Sequence, residues 1–151
     1  MKRFVLLFFA CLIFSNLFSQ DIEDHWFDAN EANIFIPTNQ ERKIIPDEYR
    51  TLALDLDALK SDLTNAPKEF TFAAKHNPMQ IVLPMPNGDD VAFQVVESSV
   101  MAPGLEAKYP NIKSYAGYGM NNKLLQVRFE IAAKGFRAMI GSPKGIIFID
   151  P

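Results

Sequence analysis

Histidine and cysteine, two of the side chains most often used to bind metal ions, are scarce in this chain: it has two histidines and one cysteine among 151 residues. His25 lies between Asp24 and Asp28, beside Trp26, so an imidazole and two carboxylates form a candidate metal site on the N-terminal segment. His76 has the sequence context of a loop residue. Because the sequence contains no H-x-x-x-H spacing, we assign no metal ligand from it.

Nucleophilic and acid–base catalysis have no motif to support them. The sequence has no G-x-S-x-G, and cap or turn contexts without a nearby histidine are predicted for Ser98, Ser99, Ser114 and Ser142. The pairs Asp55/Asp57 and Asp89/Asp90 lie where a helix cap or a hairpin turn favours aspartate. Gly117-Tyr118-Gly119 lacks the lysine and the third glycine of phosphate-binding loops. We therefore predict that the chain is not itself an enzyme and holds no catalytic residue and no cofactor.

The first 20 residues have the layout of a secretory signal peptide. They read MKRFVLLFFACLIFSNLFSQ, with two positive charges, an apolar run over residues 4–14 and a short polar end. This run is well short of the ~20 apolar residues that span a bilayer. We therefore predict a signal helix that is removed on export, and a secreted product with no membrane anchor. Cys11 leaves with this segment, so the mature chain forms no disulfide.

Composition and charge exclude several classes of protein. The loss of Lys2 and Arg3 from 15 positive residues leaves 13 against 18 acidic ones, a net charge of −5 for the mature chain. The positive residues are scattered, so nothing indicates a nucleic-acid partner. A hydrophobic fraction of 48% is too high for a wholly disordered chain and predicts one globular domain.

Hydrophobic periodicity predicts an α+β domain over residues 48–151, mainly an antiparallel β-sheet with two short helices. The step Asn87-Gly88 between two alternating apolar runs predicts a β-hairpin, and Pro84 and Pro86 place one of its strands at a sheet edge. The predicted strands cover residues 52–56, 79–85, 91–96, 112–118, 125–131, 136–140 and 146–149.

The two helices are predicted from a change of period and from cap residues. The spacing of Leu56, Leu59 and Leu63 favours a helix that begins at Asp55 or Asp57 and ends before Pro67. A second helix is predicted over residues 100–108, capped by Ser98-Ser99 and ended by Pro110.

The two ends of the mature chain differ in character. Residues 21–47 are polar and show neither period, so we predict an extended arm. Trp26 could mark a binding surface, although an aromatic anchor that holds the arm on its own domain is the simpler interpretation. A core-strand sequence over residues 146–149 is followed only by Asp150-Pro151, and we expect further protein beyond it.

Several ordered stretches over residues 42–151 resemble the N-terminal propeptide region of secreted bacterial zinc metallopeptidases of the reprolysin (adamalysin) type. These stretches are YR (49–50), LALD (52–55), LK (59–60), NAP (65–67), IVLPMPNG (81–88), FQVVESSVMAP (93–103), LEAKYP (105–110), IKSY (112–115), Gly117, Gly119, GFRA (135–138) and FIDP (148–151). The resemblance depends on the order of these segments and includes no catalytic motif.

The resemblance implies a parent enzyme whose zinc-binding H-E-x-x-H-x-x-G-x-x-H helix follows Pro151. In that case the chain is a pro-region that assists folding of the catalytic domain in cis and masks it sterically, and zinc belongs to that domain. A cysteine switch is not available, because the mature segment has no cysteine. The alternative is a stand-alone extracellular module that binds a peptide or glycan through Tyr109, Tyr115 and Tyr118.

Overall fold

The computed structural model describes residues 22–34 and 46–151. The predicted signal peptide, residues 1–20, and much of the predicted arm lie outside these ranges. Within them, no helix is both long and apolar enough to cross a membrane.

The main feature of the fold is a six-stranded antiparallel sheet in which consecutive strands are neighbours. Its strands are β3 (Met79–Pro84), β4 (Asp90–Glu97), β5 (Lys113–Gly119), β6 (Gln126–Ala132), β7 (Gly135–Ser142) and β8 (Gly145–Ile149). A second sheet pairs β1 (Trp26–Asp28) with β2 (Leu52–Leu54). The predicted α+β class with a mainly antiparallel sheet is confirmed.

The described helices are short and lie between the strands. Helix α1 covers Leu56–Leu63 and α2 covers Phe72–His76, while α3 covers Pro103–Lys108. Asp55 caps α1 by accepting a hydrogen bond from the Ala58 N–H, as its position predicts. Helix α2 was not predicted.

The start of the second predicted helix is wrong. Helix α3 begins at Pro103, which occupies its first turn, and Ala102 provides no side-chain cap. The prediction began it at residue 100 with Ser98-Ser99 as the cap. The Ser98 N–H donates instead to Ser114 O of the neighbouring strand at 2.9 Å, so this segment stays with the sheet until proline, which favours the first turn of a helix, begins α3.

One face of the large sheet carries the core. Leu59 and Leu63 of α1 belong to the same buried cluster as the strand residues Phe93, Phe129 and Ile140. Stacked rings extend the packing across β5, β6 and β7, with Tyr115 and Phe129 4.8 Å apart between centroids. None of the described strand side chains on the opposite face of the sheet, which we call the outer face, belongs to this core cluster.

The two edges of this sheet differ in sequence. Strand β3 forms one edge, as Pro84 and Pro86 predict, and it joins β4 through a hairpin in which Gly88 has a φ of +94°. A positive φ favours glycine, which explains the Asn-Gly step. Strand β8 forms the other edge, and its sequence GIIFI has neither proline nor charge.

Candidate functional site

His25 is the sequence candidate that the structure places in a defined polar cluster. Its side chain is buried, with 8% of the residue exposed, and its Nε2 lies 2.8 Å from Oδ2 of Asp62 on α1. One carboxylate oxygen of Glu23 completes the group, because the three ligand atoms all lie within 4.8 Å of one another. The cluster joins the N-terminal segment to α1.

The backbone positions the members of this cluster. Glu23 and His25 are two residues apart on an extended segment, and side chains with this spacing point to the same side. His25 O accepts a hydrogen bond from the Asp55 N–H at 3.0 Å, immediately before α1. Asp62 follows on that helix, beside the buried Leu63. His25 is therefore fixed twice: its backbone by the hydrogen bond from Asp55, and its side chain by the hydrogen bond with Asp62.

Neither carboxylate that the sequence placed around His25 is its hydrogen-bond partner. Asp24 accepts from the Trp26 backbone N–H at 3.0 Å, and Asp28 accepts from Arg50 at 3.2 Å. Sequence reasoning missed Asp62, because it lies 37 residues away from His25. Glu23 could have been predicted as a member of the cluster, because it lies two residues before His25. In an extended segment, side chains with this spacing lie on the same side.

Trp26 is the anchor of the N-terminal segment. Its indole N–H donates to Val82 O at 3.2 Å, and its ring meets Phe136 edge-on at 5.4 Å between centroids. Beside it, Arg50 donates to both Asp28 and Asp90 at 3.2 Å, and the hydrogen bond to Asp28 is the main cause that raises the pKa of Arg50. The interpretation of Trp26 as an anchor agrees with these contacts.

The remaining histidine and the acid pairs have structural contacts. His76 is the last residue of α2, not a loop residue, and its ring stacks on Phe72 at 4.0 Å between centroids. Asp57 lies 3.6 Å from Lys60 in an exposed i, i+3 pair, and Asp89 accepts from the Asn87 side chain at 2.7 Å in the hairpin turn. These positions agree with the cap and turn interpretations.

Two of the four candidate serines occupy a buried polar junction between β4 and β5. Ser98 Oγ donates to Glu69 at 2.6 Å, and Ser114 Oγ donates to Ser98 O at 2.9 Å. Lys113 donates to Glu97 at 2.7 Å, and this bond is the main cause that raises the pKa of Lys113. The other two serines make local contacts: Ser99, just after β4, is bonded to Met101, and Ser142, the last residue of β7, donates to Gly145 O.

The three tyrosines proposed for ligand stacking do not share a surface. Tyr115 is 5% exposed and stacks on Phe129 in the core, and this burial raises its pKa to about 12, with a smaller contribution from the negative charge of Glu97. Tyr118, three residues along the same strand, is 39% exposed. An odd spacing in a strand places two side chains on opposite faces. The predicted tyrosine platform is therefore wrong for Tyr115.

The outer face ends at β8 in a group of exposed apolar side chains, Met139, Ile146 and Phe148, which we call the edge patch. All three are at least 44% exposed, and Phe148 is 63% exposed. Met139 and Phe148 are directly opposite each other in the β7–β8 register. Beyond β8, no described strand pairs with this edge.

A shallow apolar groove of about 240 Å³ lies on the other side of β8. Trp26, Leu54, Phe136 and Ile149 are among the residues that line it. These apolar walls offer few of the convergent polar groups that orient a small ligand, so the edge patch is the stronger candidate for recognition.

Comparison with protein-family models, with curated proteins and with the solved structures finds no match.

Proposed function

We propose that this chain is the pro-region of a secreted zinc metalloendopeptidase, and that it assists folding of the catalytic domain by binding it at the edge patch. The propeptide resemblance of the ordered segments over residues 42–151 suggests the class of partner. The edge patch supports a docking role, because its exposed apolar side chains lie on a strand edge with which no described strand pairs. The chain then acts as a folding helper and not as the catalyst.

The observation that carries the proposal is the contrast between the two edges of the large sheet. Natural sheets protect their edges with proline, charge or a covering segment, because an open apolar edge pairs with other chains. Strand β3 ends at Pro84. Strand β8 contains neither proline nor charge, no strand among the described residues pairs with its outer edge, and Ile146 and Phe148 are 61% and 63% exposed. An edge of this kind is stable in solution once a partner covers it.

Two kinds of interaction are available to a partner at this edge. A strand of the catalytic domain can pair with the free backbone N–H and C=O groups of β8, which gives affinity. The side chains of the edge patch then pack on that domain and remove apolar surface from water. A pro-region that binds the folded form of its partner more tightly than the unfolded form shifts the partner toward folding.

Masking of the active site would follow from the same contact. A folded domain that binds beside the substrate cleft excludes substrate sterically, with no thiol needed. The inhibition would end when the connecting segment is cleaved and the pro-region dissociates.

The proposal is tested by refolding the metallopeptidase domain that we expect in the same reading frame. The domain is diluted from denaturant with and without the purified chain, and the recovered peptidase activity is measured after the connecting segment has been cleaved. We expect the chain to raise recovery several-fold. A reading frame with no zinc-binding H-E-x-x-H motif, or equal recovery with and without the chain, would contradict the proposal.

The alternative, a stand-alone extracellular module that binds a peptide or glycan, keeps one observation in its favour. Tyr118 is exposed, and the Lys123 ammonium lies 5.4 Å from its ring centroid. Binding of the purified chain to an immobilised peptide or glycan, lost in Tyr118→Ala with the fold intact, would favour this alternative.

A further inference from the structure

We propose that Glu23, His25 and Asp62 form a binding site for a divalent transition metal ion of the zinc class. The proposal rests on the convergence of their ligand atoms and is independent of the docking role. Such an ion would fasten the N-terminal segment to helix α1.

The chemistry of the three side chains fits a zinc-class ion. Zinc is bound in proteins by imidazole nitrogen and carboxylate oxygen, often through three protein ligands with a fourth position left for water. Two carboxylates balance the charge of a divalent cation, and a neutral imidazole completes the set. An imidazole ligand favours zinc over calcium or magnesium, which prefer oxygen ligands alone.

The distances allow binding after small movements. With metal–ligand distances of about 2.0–2.2 Å, neighbouring atoms of a tetrahedral site lie about 3.3 Å apart. The 2.8 Å between His25 Nε2 and Asp62 Oδ2 must therefore widen by about half an ångström. The Glu23 oxygen, within 4.8 Å of both, must move closer. Glu23 is exposed, so its side chain has the freedom to do so.

The surrounding contacts prepare the site. The Asp55 N–H donates to His25 O at 3.0 Å, and Trp26 is fixed to β3 by its hydrogen bond to Val82 O. The backbone of His25 and the residue that follows it are therefore held in place before a metal ion arrives. Preformed ligands of this kind bind a metal with little ordering cost.

The site would supply a cross-link that the mature sequence cannot make otherwise. The only cysteine is Cys11, so residues 22–151 contain no disulfide. A metal ion bound by His25 and Asp62 would close a loop between residues 37 positions apart. Because closed loops limit the unfolded chain, and because an ion that binds only the folded state stabilises it, zinc should raise the melting temperature.

The test is calorimetric titration of the untagged full chain with Zn²⁺ near neutral pH, together with thermal unfolding. We expect saturable binding of one ion per chain. At about 100 times the dissociation constant, the melting temperature should rise by roughly 5–10 °C. Calcium at the same concentration should produce no shift.

Three variants distinguish this site from a simple His–Asp hydrogen bond or from binding at any histidine. Glu23→Gln keeps the His25–Asp62 hydrogen bond, so it should leave the melting temperature of the metal-free protein unchanged and weaken zinc binding at least tenfold. His25→Ala should abolish zinc binding. His76→Ala, which removes the other histidine, should bind zinc as the parent chain does.

The proposal is overturned if the parent chain shows no saturable zinc binding, or if Glu23→Gln binds zinc as tightly as the parent. An equal shift with calcium would also overturn it. None of these results bears on the refolding test, so the metal site and the docking role fail separately.

Discussion

At the scale of single residues, Trp26 makes the most specific contacts of the N-terminal segment. We expect Trp26→Ala to lower the free energy of unfolding by about 2–3 kcal/mol, because it removes the edge-on contact with Phe136 and leaves Val82 O without its indole donor. Denaturant unfolding followed by circular dichroism measures this change.

Phe27→Ala is the matched control. Phe27 is the next residue of the same strand and is 56% exposed, so its removal should cost less than about 1 kcal/mol. Equal losses from the two variants would show that the N-terminal strand contributes through its backbone alone.

Tyr115 makes the fold sensitive to alkaline pH. Its pKa is raised to about 12 by burial, against an ordinary value of 10.0. Between these two values the unfolded chain loses the phenol proton while the folded chain keeps it, so stability falls as pH rises. The stabilisation is fully present below pH 10 and is lost toward pH 12, by about 2–3 kcal/mol.

Tyr115→Phe isolates this effect, because it keeps the ring that stacks on Phe129. The variant should unfold less readily than the parent above pH 10, and the two should have similar stability at neutral pH. A parent and a variant that lose stability equally between pH 10 and pH 12 would contradict the assignment. Chemical unfolding at a series of pH values provides the comparison.

At the scale of elements, glycine has a packing role in β5. Gly117 lies opposite Val95 in β4, and an added Cβ would fall 2.2 Å from Gln94 O and 2.7 Å from a Val95 methyl group. The first contact is with backbone and cannot relax by side-chain rotation. Gly117→Ala should therefore cost at least about 2 kcal/mol of stability.

The same substitution at Gly104 provides the control. Gly104 lies in α3 with nothing within 4 Å of an added Cβ, and alanine is favoured over glycine in helices by up to about 1 kcal/mol. Gly104→Ala should be neutral or stabilising. Thermal unfolding of both variants measures the two effects. A Gly117→Ala variant as stable as the parent would show that β4 and β5 are less closely packed than in the structure.

The strands and helices also differ in how well the sequence predicts them. Strands β3 to β8 could be predicted because alternation of apolar residues reports burial on one face, and the Asn87-Gly88 step reports a turn that needs a positive φ. The start of α3 could not be placed from cap residues, since Ser98 hydrogen-bonds to β5 across the sheet. Helix α2 has only five residues, too few for a helical period.

The cluster of Glu23, His25 and Asp62 was harder to predict from the sequence, for a related reason. Contact between His25 and Asp62 depends on how the N-terminal segment meets α1, and no local pattern encodes a contact over 37 residues. The opposite faces of Tyr115 and Tyr118 could have been predicted, because their odd spacing in a strand was visible. The exposure of Phe148 could not, since its sequence is that of a core strand.

At the scale of the whole molecule, the proposed function depends on a sheet edge with which no described strand pairs. Helix α1 and Trp26 pack on the core face of the sheet, while no described strand pairs with the free edge of β8. A chain that presented this edge alone would tend to associate with itself. The proposed binding of a catalytic domain at this edge would account for both the apolar sequence of β8 and the exposure of Ile146 and Phe148.

Two variants separate docking at the edge patch from a general effect of apolar surface. Phe148→Asp places a charge in the edge patch, and Leu124→Asp places the same charge on an equally exposed leucine in the loop between β5 and β6. Neither side chain contributes to the buried core, so both variants should fold.

The decisive measurement is the affinity of the catalytic domain for the parent chain and for these two variants, by titration calorimetry. We predict that Phe148→Asp weakens binding at least tenfold, about 1.4 kcal/mol or more, and that Leu124→Asp binds as the parent does. Equal affinities of the two variants, or no binding of the parent chain, would contradict the proposed function.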